Sequence, residues 1–419
     1  LNIMARNRVI YQSEALFVTH QTTGNKTIDI VTAGLEGVGA AKSELNEDDG
    51  DIPAGAMHQI HRVQSANYNF AINRTDINQF GQLARIDTAV IDAPTVGLDF
   101  TYLVTNGTNE DKLGISVDEA NDATPVCSAI SGILANTSGR NYHILTVKEG
   151  NDANGSSLNT DSDSTVISIG NGFITNYSVS ASVGAVPTAS VSVEGLNINA
   201  QSAGASGTKM TTPAIDPDAG TMGTATFGLP APITGDVGEV IRPGDIEVQF
   251  LGADDTLGTG VLTNLVDSAS ATSAHINSFS IDLPLGRSVL QRLGNAFGFA
   301  REIDFPVSVS VSVSATVADL KAGNLFDELY DNTKHDIVLS LNKNVAGGSS
   351  VGTDNGQLAY VIKNATLDSE SFSSSIGDNK SVDLSFSATI GGPQDTTNGL
   401  FISGTQCGDF DIRSESGTA

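Results

Sequence analysis

VQSANYNFAINRTDINQFGQL, Val63 to Leu83, and INSFSIDLPLGRSVLQRLGNA, Ile276 to Ala296, carry one pattern twice in a single chain. Set side by side, Ser65 meets Ser278, Arg74 meets Arg287 and Gly81 meets Gly294. The apolar positions stay in phase: Ala66, Tyr68, Phe70 and Ile72 stand against Phe279, Ile281, Leu283 and Leu285. Past the intervening loop, Val96, Leu98 and Phe100 stand against Val309, Val311 and Val313. A slip of one residue turns every side chain to the other face of a strand, so agreement of phase over two strands weighs more than the few identities.

The match resumes downstream at a slightly smaller displacement. Asn171 meets Asn364, Ser178 meets Ser371, Ser182 and Gly184 meet Ser375 and Gly377, and Val191, Ser192 and Val193 meet Leu384, Ser385 and Phe386. The first copy therefore carries extra residues, which the reading places in the acidic stretch TNGTNEDKLGISVDEANDATP. The expected organisation is a first β domain at 1–200, a linker rich in Gly, Ala and Pro at 201–238, a second β domain at 239–400, and a surface tail at 401–419.

Alternation is strictest in PVSVSVSVSATV, where valines point one way and serines the other, so one face packs on a core and the other is small and polar. RVIYQSEALFV and IEVQFLG read as the opening strands of the two copies, and HDIVLSLN, LAYVIKNATL and VDLSFSATI as the closing strands of the second. DINQFGQL and SVLQRLGNA read as short helical stretches after the shared arginines. VADLKAGNLFDELYD, with Leu320, Leu325, Phe326 and Leu329 on one side, reads as a helix whose counterpart is SAISGILANTS. The fold class is all-β with minor α: two tandem β-sandwich or barrel domains, each with a flanking helix.

Composition narrows the function. With 48 acidic against 21 basic residues, the net charge is −27 and the pI near 4.3, which disfavours adhesion to nucleic-acid phosphates. There is no Trp, and aromatics make up only 5% of the chain, so the core must be built from Val, Ile, Leu and Phe. Cys127 and Cys407, the only cysteines, read as free thiols. No apolar run is long enough to span a membrane, and LNIMARNRVIYQSEALF lacks the core of a signal peptide, so a soluble, reducing compartment is expected. Translation starting at Leu1 or at Met4 fits the sequence equally well.

Catalytic and metal signatures fail on spacing. His58 and His61 form an HQIH pair without a third ligand nearby and read as surface histidines. NEDDGD, DSDS and DPDAG lack EF-hand spacing and read as ordinary acidic loops, and GLEGVG lacks the Walker lysine. No nucleophile elbow is present, so no enzyme, cofactor or metal is expected. N-x-S/T sequons such as those at Asn25 and Asn73 carry no meaning without secretion. Arg74 and Arg287 stand out in so acidic a chain. Each either satisfies a carboxylate of its own domain or forms a salt bridge to a neighbouring copy or ring.

MARNRVIYQSEALFV, followed by the block from Arg62 through the V-Q-S strand, Arg74, Gly81 and the strand after Pro94, resembles the major tail (tail tube) proteins of long-tailed bacteriophages. The second copy keeps Ser278, Arg287, Gly294 and Pro306. The resemblance covers about 40 residues per copy. It implies a virion structural protein, assembled in the host bacterial cytoplasm, whose domains form six-membered rings with a continuous inner β-barrel; a duplicated chain would complete such a ring as a homotrimer. It implies self-association within and between rings, contact with tail terminator, tape measure and distal tail proteins, and a lumen through which DNA passes without specific binding. Three chains would bring about −81 to each ring. Arg74, Gly81, Arg287 and Gly294 are then candidate ring or domain interface residues. The competing reading is a capsid decoration or tail fibre protein, which shares the composition but has no need of the duplication.

Overall fold

Where valine and serine alternate, the chain can only be a strand with one dry face. In the computed structural model Val309, Val311 and Val313 are buried, while Ser308, Ser310 and Ser312 are exposed. The structure describes residues 14–20, 57–91, 95–119, 128–135, 139–147, 153, 165–202, 210–211, 226–227, 241–242, 246–252, 276–291, 293, 300–316, 334–342, 356–374, 381–393 and 395–404.

The first copy contains β1 (Glu14–His20), β2 (Met57–Gln59), β3 (Val63–Ala71), β4 (Arg74–Ile77), β5 (Asp87–Val90), β6 (Thr95–Leu103), α1 (Thr108–Leu113), β7 (Asp118–Glu119), α2 (Ser131–Ala135), β8 (Arg140–Thr146), β9 (Thr165–Ser182), β10 (Thr188–Gly195) and β11 (Asn197–Ser202). β12 (Met210–Thr211) and β13 (Thr226–Phe227) pair with each other. The second copy contains β14 (Ile246–Gly252), β15 (Ile276–Pro284), β16 (Arg287–Leu290), β17 (Ala300–Ile303), β18 (Ser308–Thr316), β19 (Lys334–Asn342), β20 (Gly356–Ser373), β21 (Ser381–Thr389) and β22 (Gly399–Gly404).

Each copy is organised by one 18-residue strand that serves two layers. The first half of β9 pairs with β8 and β11, and its second half with β10. Likewise β20 pairs first with β19 and β22, then with β21. Between the halves the backbone is pressed close: a Cβ on Gly172 would meet Tyr142 and Val193 at 2.8 Å, while at the corresponding bend Asn364 takes a left-handed φ of 57°.

The duplication holds at the level of register. Val191 opposes Phe100 in the first copy as Leu384 opposes Val313 in the second. The β9–β10 ladder skips Thr175, and the β20–β21 ladder skips Asp368 at the same place; β3 skips Gln64 as β15 skips Asn277. Strand pairing, phase and four bulges thus agree between copies. Buried residues of both copies nevertheless form one continuous apolar cluster, so the copies share a core as well as a sheet.

Three expectations change. DINQFGQL and the start of SVLQRLGNA are not helices: β4 pairs with β5, and β16 with β17, as two-stranded hairpins. Phe80 and Leu83 are fully exposed, so a helix here would have no surface on which to bury its apolar side, whereas β-branched Thr75 and Ile77 suit a strand. Gly81, at φ 86°, sits in the turn between these strands. The 401–419 segment begins as β22, with Phe401 and Ile402 buried beside β20, and the stretch read as a linker from 201 onward begins with the last two residues of β11. Of the two expected helices, α2 occupies part of SAISGILANTS, while VADLKAGNLFDELYD lies outside the described residues, as do Cys127, Cys407, Gly294 and the loops NEDDGD, DSDS, DPDAG and GLEGVG.

His143 on β8 is fully buried between Thr19 Oγ1 and Ser168 Oγ, and desolvation pushes its pKa down to about 3. A depressed histidine favours the fold above its ordinary pKa of 6.5 and loses that contribution as pH falls toward the folded value. We therefore expect stability to drop by about 2–3 kcal/mol between pH 6.5 and 4.5 from this group. His143→Gln should flatten the slope of denaturant midpoint against pH over that interval, whatever its effect at neutral pH.

Candidate assembly interface

The two copies join edge to edge. The second half of β9 finds its other neighbour in β15, with Ser278 opposite Ser182, Ile281 opposite Val179 and Leu283 opposite Tyr177. The sheet thereby runs β20-β21-β18-β15-β9-β10-β6-β3 without interruption through both copies. Leu285 N–H donating to Thr175 O and Val183 N–H donating to Asn277 O bracket this ladder at 2.8 and 2.9 Å.

One face of this sheet is the core. Along the other run Asn67, Asp99, Ser192, Ser180, Ser280, Ser312 and Ser385, with the carboxylates of Asp282, Asp383 and Glu194 among them. Among the described strand residues on this face there is no Lys or Arg. The face is concave at the junction, where a trough of about 510 Å³ is lined by Ser180, Ser278, Ser280, Ser312, Ser314 and Asp383. Small side chains and carboxylates on a concave sheet make a wet, negative surface with nothing to hold a phosphate.

Beside the ladder two further contacts join the copies. From the β16–β17 hairpin, Arg287 lies over the Phe173 ring at 4.7 Å and donates through Nε to Ile174 O and through Nη1 to Arg301 O. Arg301 Nη1 meets Glu194 Oε1 at 3.1 Å. Inside the core, Tyr102 and Tyr177 hydroxyls both donate to Glu110 Oε1 at 2.8 and 3.1 Å, and Tyr177 shares a 2.9 Å hydrogen bond with Tyr360 of the second copy. Burial pushes the Glu110 carboxyl above the usual range, opposed by these hydroxyls. Glu110 belongs to α1, within the acidic stretch read as extra in the first copy, and this stretch also bridges the copies through β7, which runs parallel to β22; just beyond it Ala129 N–H donates to Leu400 O.

At its two ends, β3 and the second half of β20, the same sheet has no further strand among the described residues. β3 pairs with β6 alone, and residues 369–373 of β20 pair only with β21 among the described residues. Tyr68, Phe70 and Ile72 are 42%, 67% and 49% exposed, whereas their counterparts Ile281, Leu283 and Leu285 are fully buried. Covering the three would contribute on the order of 1 kcal/mol each. An open, apolar strand edge is a surface that pairs.

Of the four residues singled out in the sequence, Arg287 lies between the copies and is half-buried. Arg74 opens β4 with its side chain exposed, and Gly81 occupies the exposed turn beyond it. His61 is half-buried rather than at the surface, and its imidazole is pushed down to about 4 by burial beside Lys112 and Arg62. No group of three metal-ligating side chains occurs among the described residues. Sequence reasoning missed Glu110, Phe173 and Arg301; a Glu flanked by polar neighbours in TNEDKL gives no sign of burial.

No family model matches the chain, and no curated protein matches it. Among solved structures it is similar to a chain of an extracellular contractile injection system, the PVC sheath-tube complex in the extended state, at 13% identity and a TM-score of 0.28, covering 40% of this chain and 94% of that one. It is also similar to the tube-terminating cap of the anti-feeding prophage, at 14% identity and 0.26, covering 41% and 98%. A crystal structure of an Hcp protein aligns at 10% identity and 0.23, covering 37% and 96%.

The two shared arginines should separate in the isolated chain. Arg287→Ala removes a ring contact and two hydrogen bonds at a half-buried site and should cost about 1–2 kcal/mol in urea denaturation. Arg74→Ala, at the exposed counterpart, should stay within about 0.5 kcal/mol.

Proposed function

We propose that this chain is the structural subunit of a tube: three chains close into a ring of six β domains, rings stack, and the concave polar faces line the lumen. The reading is that of a tail tube protein of a long-tailed bacteriophage, with DNA as the cargo that passes through. The observation that carries it is the junction between copies. It continues one sheet across two domains, and at either end of that sheet no further strand pairs among the described residues, which suits a segment of a larger closed sheet.

The dimensions fit a conduit. Eight strands per chain would give a barrel of about 24, which at the usual inter-strand spacing is roughly 40 Å or more across between backbones. Serines and short carboxylates on the inner face leave most of that width open. Asp99, Asp282 and Asp383 recur around the lumen in three chains and repel phosphate, so a duplex moves without a succession of ion pairs to break. The sequence resemblance and the acidic balance of the chain support the same reading.

Electron microscopy combined with mass measurement of the assembled species tests this directly. The expected result is stacked rings with a central channel and three chains each; a species that stays monomeric at high concentration, or rings with six chains, would overturn it. A second measurement addresses the lumen. Tubes carrying Asp99→Lys and Asp383→Lys should retain duplex DNA in a pull-down at low salt and release it as salt is raised, while unmodified tubes retain none.

A further inference from the structure

Cross-strand pairs at the junction inside the chain have counterparts, by sequence, on the strands at the two ends of the sheet. Residues of β15 that face β9 correspond to residues of β3, and residues of β9 that face β15 correspond to residues of β20. Transferring the internal register therefore names the contact between chains: Ser280 opposite Ser180 becomes Asn67 opposite Ser373, Ile281 opposite Val179 becomes Tyr68 opposite Phe372, and Asp282 opposite Ser178 becomes Asn69 opposite Ser371. We infer that β3 of one chain adds antiparallel to the second half of β20 of the next chain in this register. The inference rests on the proposed ring.

Several independent features agree with it. Both edges lack a second partner strand among the described residues. The side chains that would face the core, Tyr68 and Phe372, are aromatic and incompletely covered, whereas Ile281 and Val179 in the internal junction are buried. The side chains that would face the lumen are Asn and Ser, small and polar like the Ser and Asp inside the chain. The ladders also match in the irregularities on either side: β3 and β15 each skip one residue near their start, and β9 and β20 each skip one where the β10 and β21 ladders change register. A strand with the wrong bulge pattern could not lie flush along the same length. Because the two edges are different surfaces, the contact is head-to-tail and closes only as a ring.

Hydrogen-bond phase selects the test pair. Leu285 N–H bonds the carbonyl directly opposite on Thr175, so alternate pairs along the ladder are non-hydrogen-bonded, and Ser280 with Ser180 is one of these. Asn67 and Ser373 inherit that phase, with the short Cβ separation that a disulfide needs. In a background carrying Cys127→Ser and Cys407→Ser, Asn67→Cys and Ser373→Cys are combined in one chain, which is assembled and oxidised. The products are run on a non-reducing denaturing gel beside micrographs of the same sample. The expected product is a covalent trimer, with cross-linking about ten-fold weaker when Asn67→Cys is combined instead with Ser371→Cys, two residues out of register. Asn67→Cys alone should give no covalent dimer; if it does, two β3 edges pair about a two-fold axis and the head-to-tail contact is wrong. Three-chain rings that cross-link only in the slipped pair, or in neither, overturn the register and leave the ring standing. A sample with neither rings nor cross-links overturns both.

Discussion

A strand inside a sheet must satisfy backbone donors and acceptors on both edges, and much of this molecule follows from where the second edge of one strand is satisfied. β9 supplies its first half to one layer and its second half to another, and in the second half one edge belongs to β10 of its own copy and the other to β15 of the next. The second copy repeats the arrangement as far as β21, and among the described residues no further strand follows on the other side of the second half of β20. Two copies in one chain therefore meet the constraint at one junction, and among the described strands one edge of each copy has no second neighbour.

Register is preserved between the copies more faithfully than sequence. The residues at matched positions are mostly different, Val191 against Leu384 or Tyr68 against Ile281, yet ladders pair in the same phase and skip at the same points. A bulge increases local twist and bends its strand, so a sheet that must curve evenly through successive copies has to bulge in the same place in each. Side chains can drift as long as apolar remains apolar on the core face; an insertion or deletion in a strand would throw every later residue to the wrong side.

This is why the strands were legible and the clamp was not. Period-two alternation in PVSVSVSVSATV and the phased match of Val63–Leu83 with Ile276–Ala296 are local patterns, and the strands came out where they read. The hairpins at Arg74 and Arg287 were misread as helical because apolar residues at loose spacing, Ile77, Phe80 and Leu83, imitate an amphipathic face; their exposure shows that they do not face this chain's core. Glu110 was illegible for the opposite reason. Its setting is made by Tyr102, Tyr177 and Tyr360 from three distant strands, and nothing in TNEDKL announces that three tyrosines converge on it. The 401–419 segment was misplaced at its start because GLFISG is too short to signal a strand until β20 and β7 flank it.

The junctions within and between chains of the proposed ring are alike in their ladder and unlike behind it. Inside the chain, Arg301 and Glu194 pair, Arg287 covers Phe173, and the Glu110 tyrosine cluster ties β9 to β20. At the open ends the corresponding positions are Thr88, Ser387 and Thr366, and Tyr177 is replaced by Glu370. A junction within one chain forms at the high effective concentration set by its tether, so contacts added to it fix geometry rather than drive encounter. A junction between chains has to form by collision and must not trap incomplete rings. Leaving it with a strand ladder and a few apolar side chains, and without the Arg301–Glu194 pair, keeps single contacts weak until ring closure makes all of them intramolecular at once.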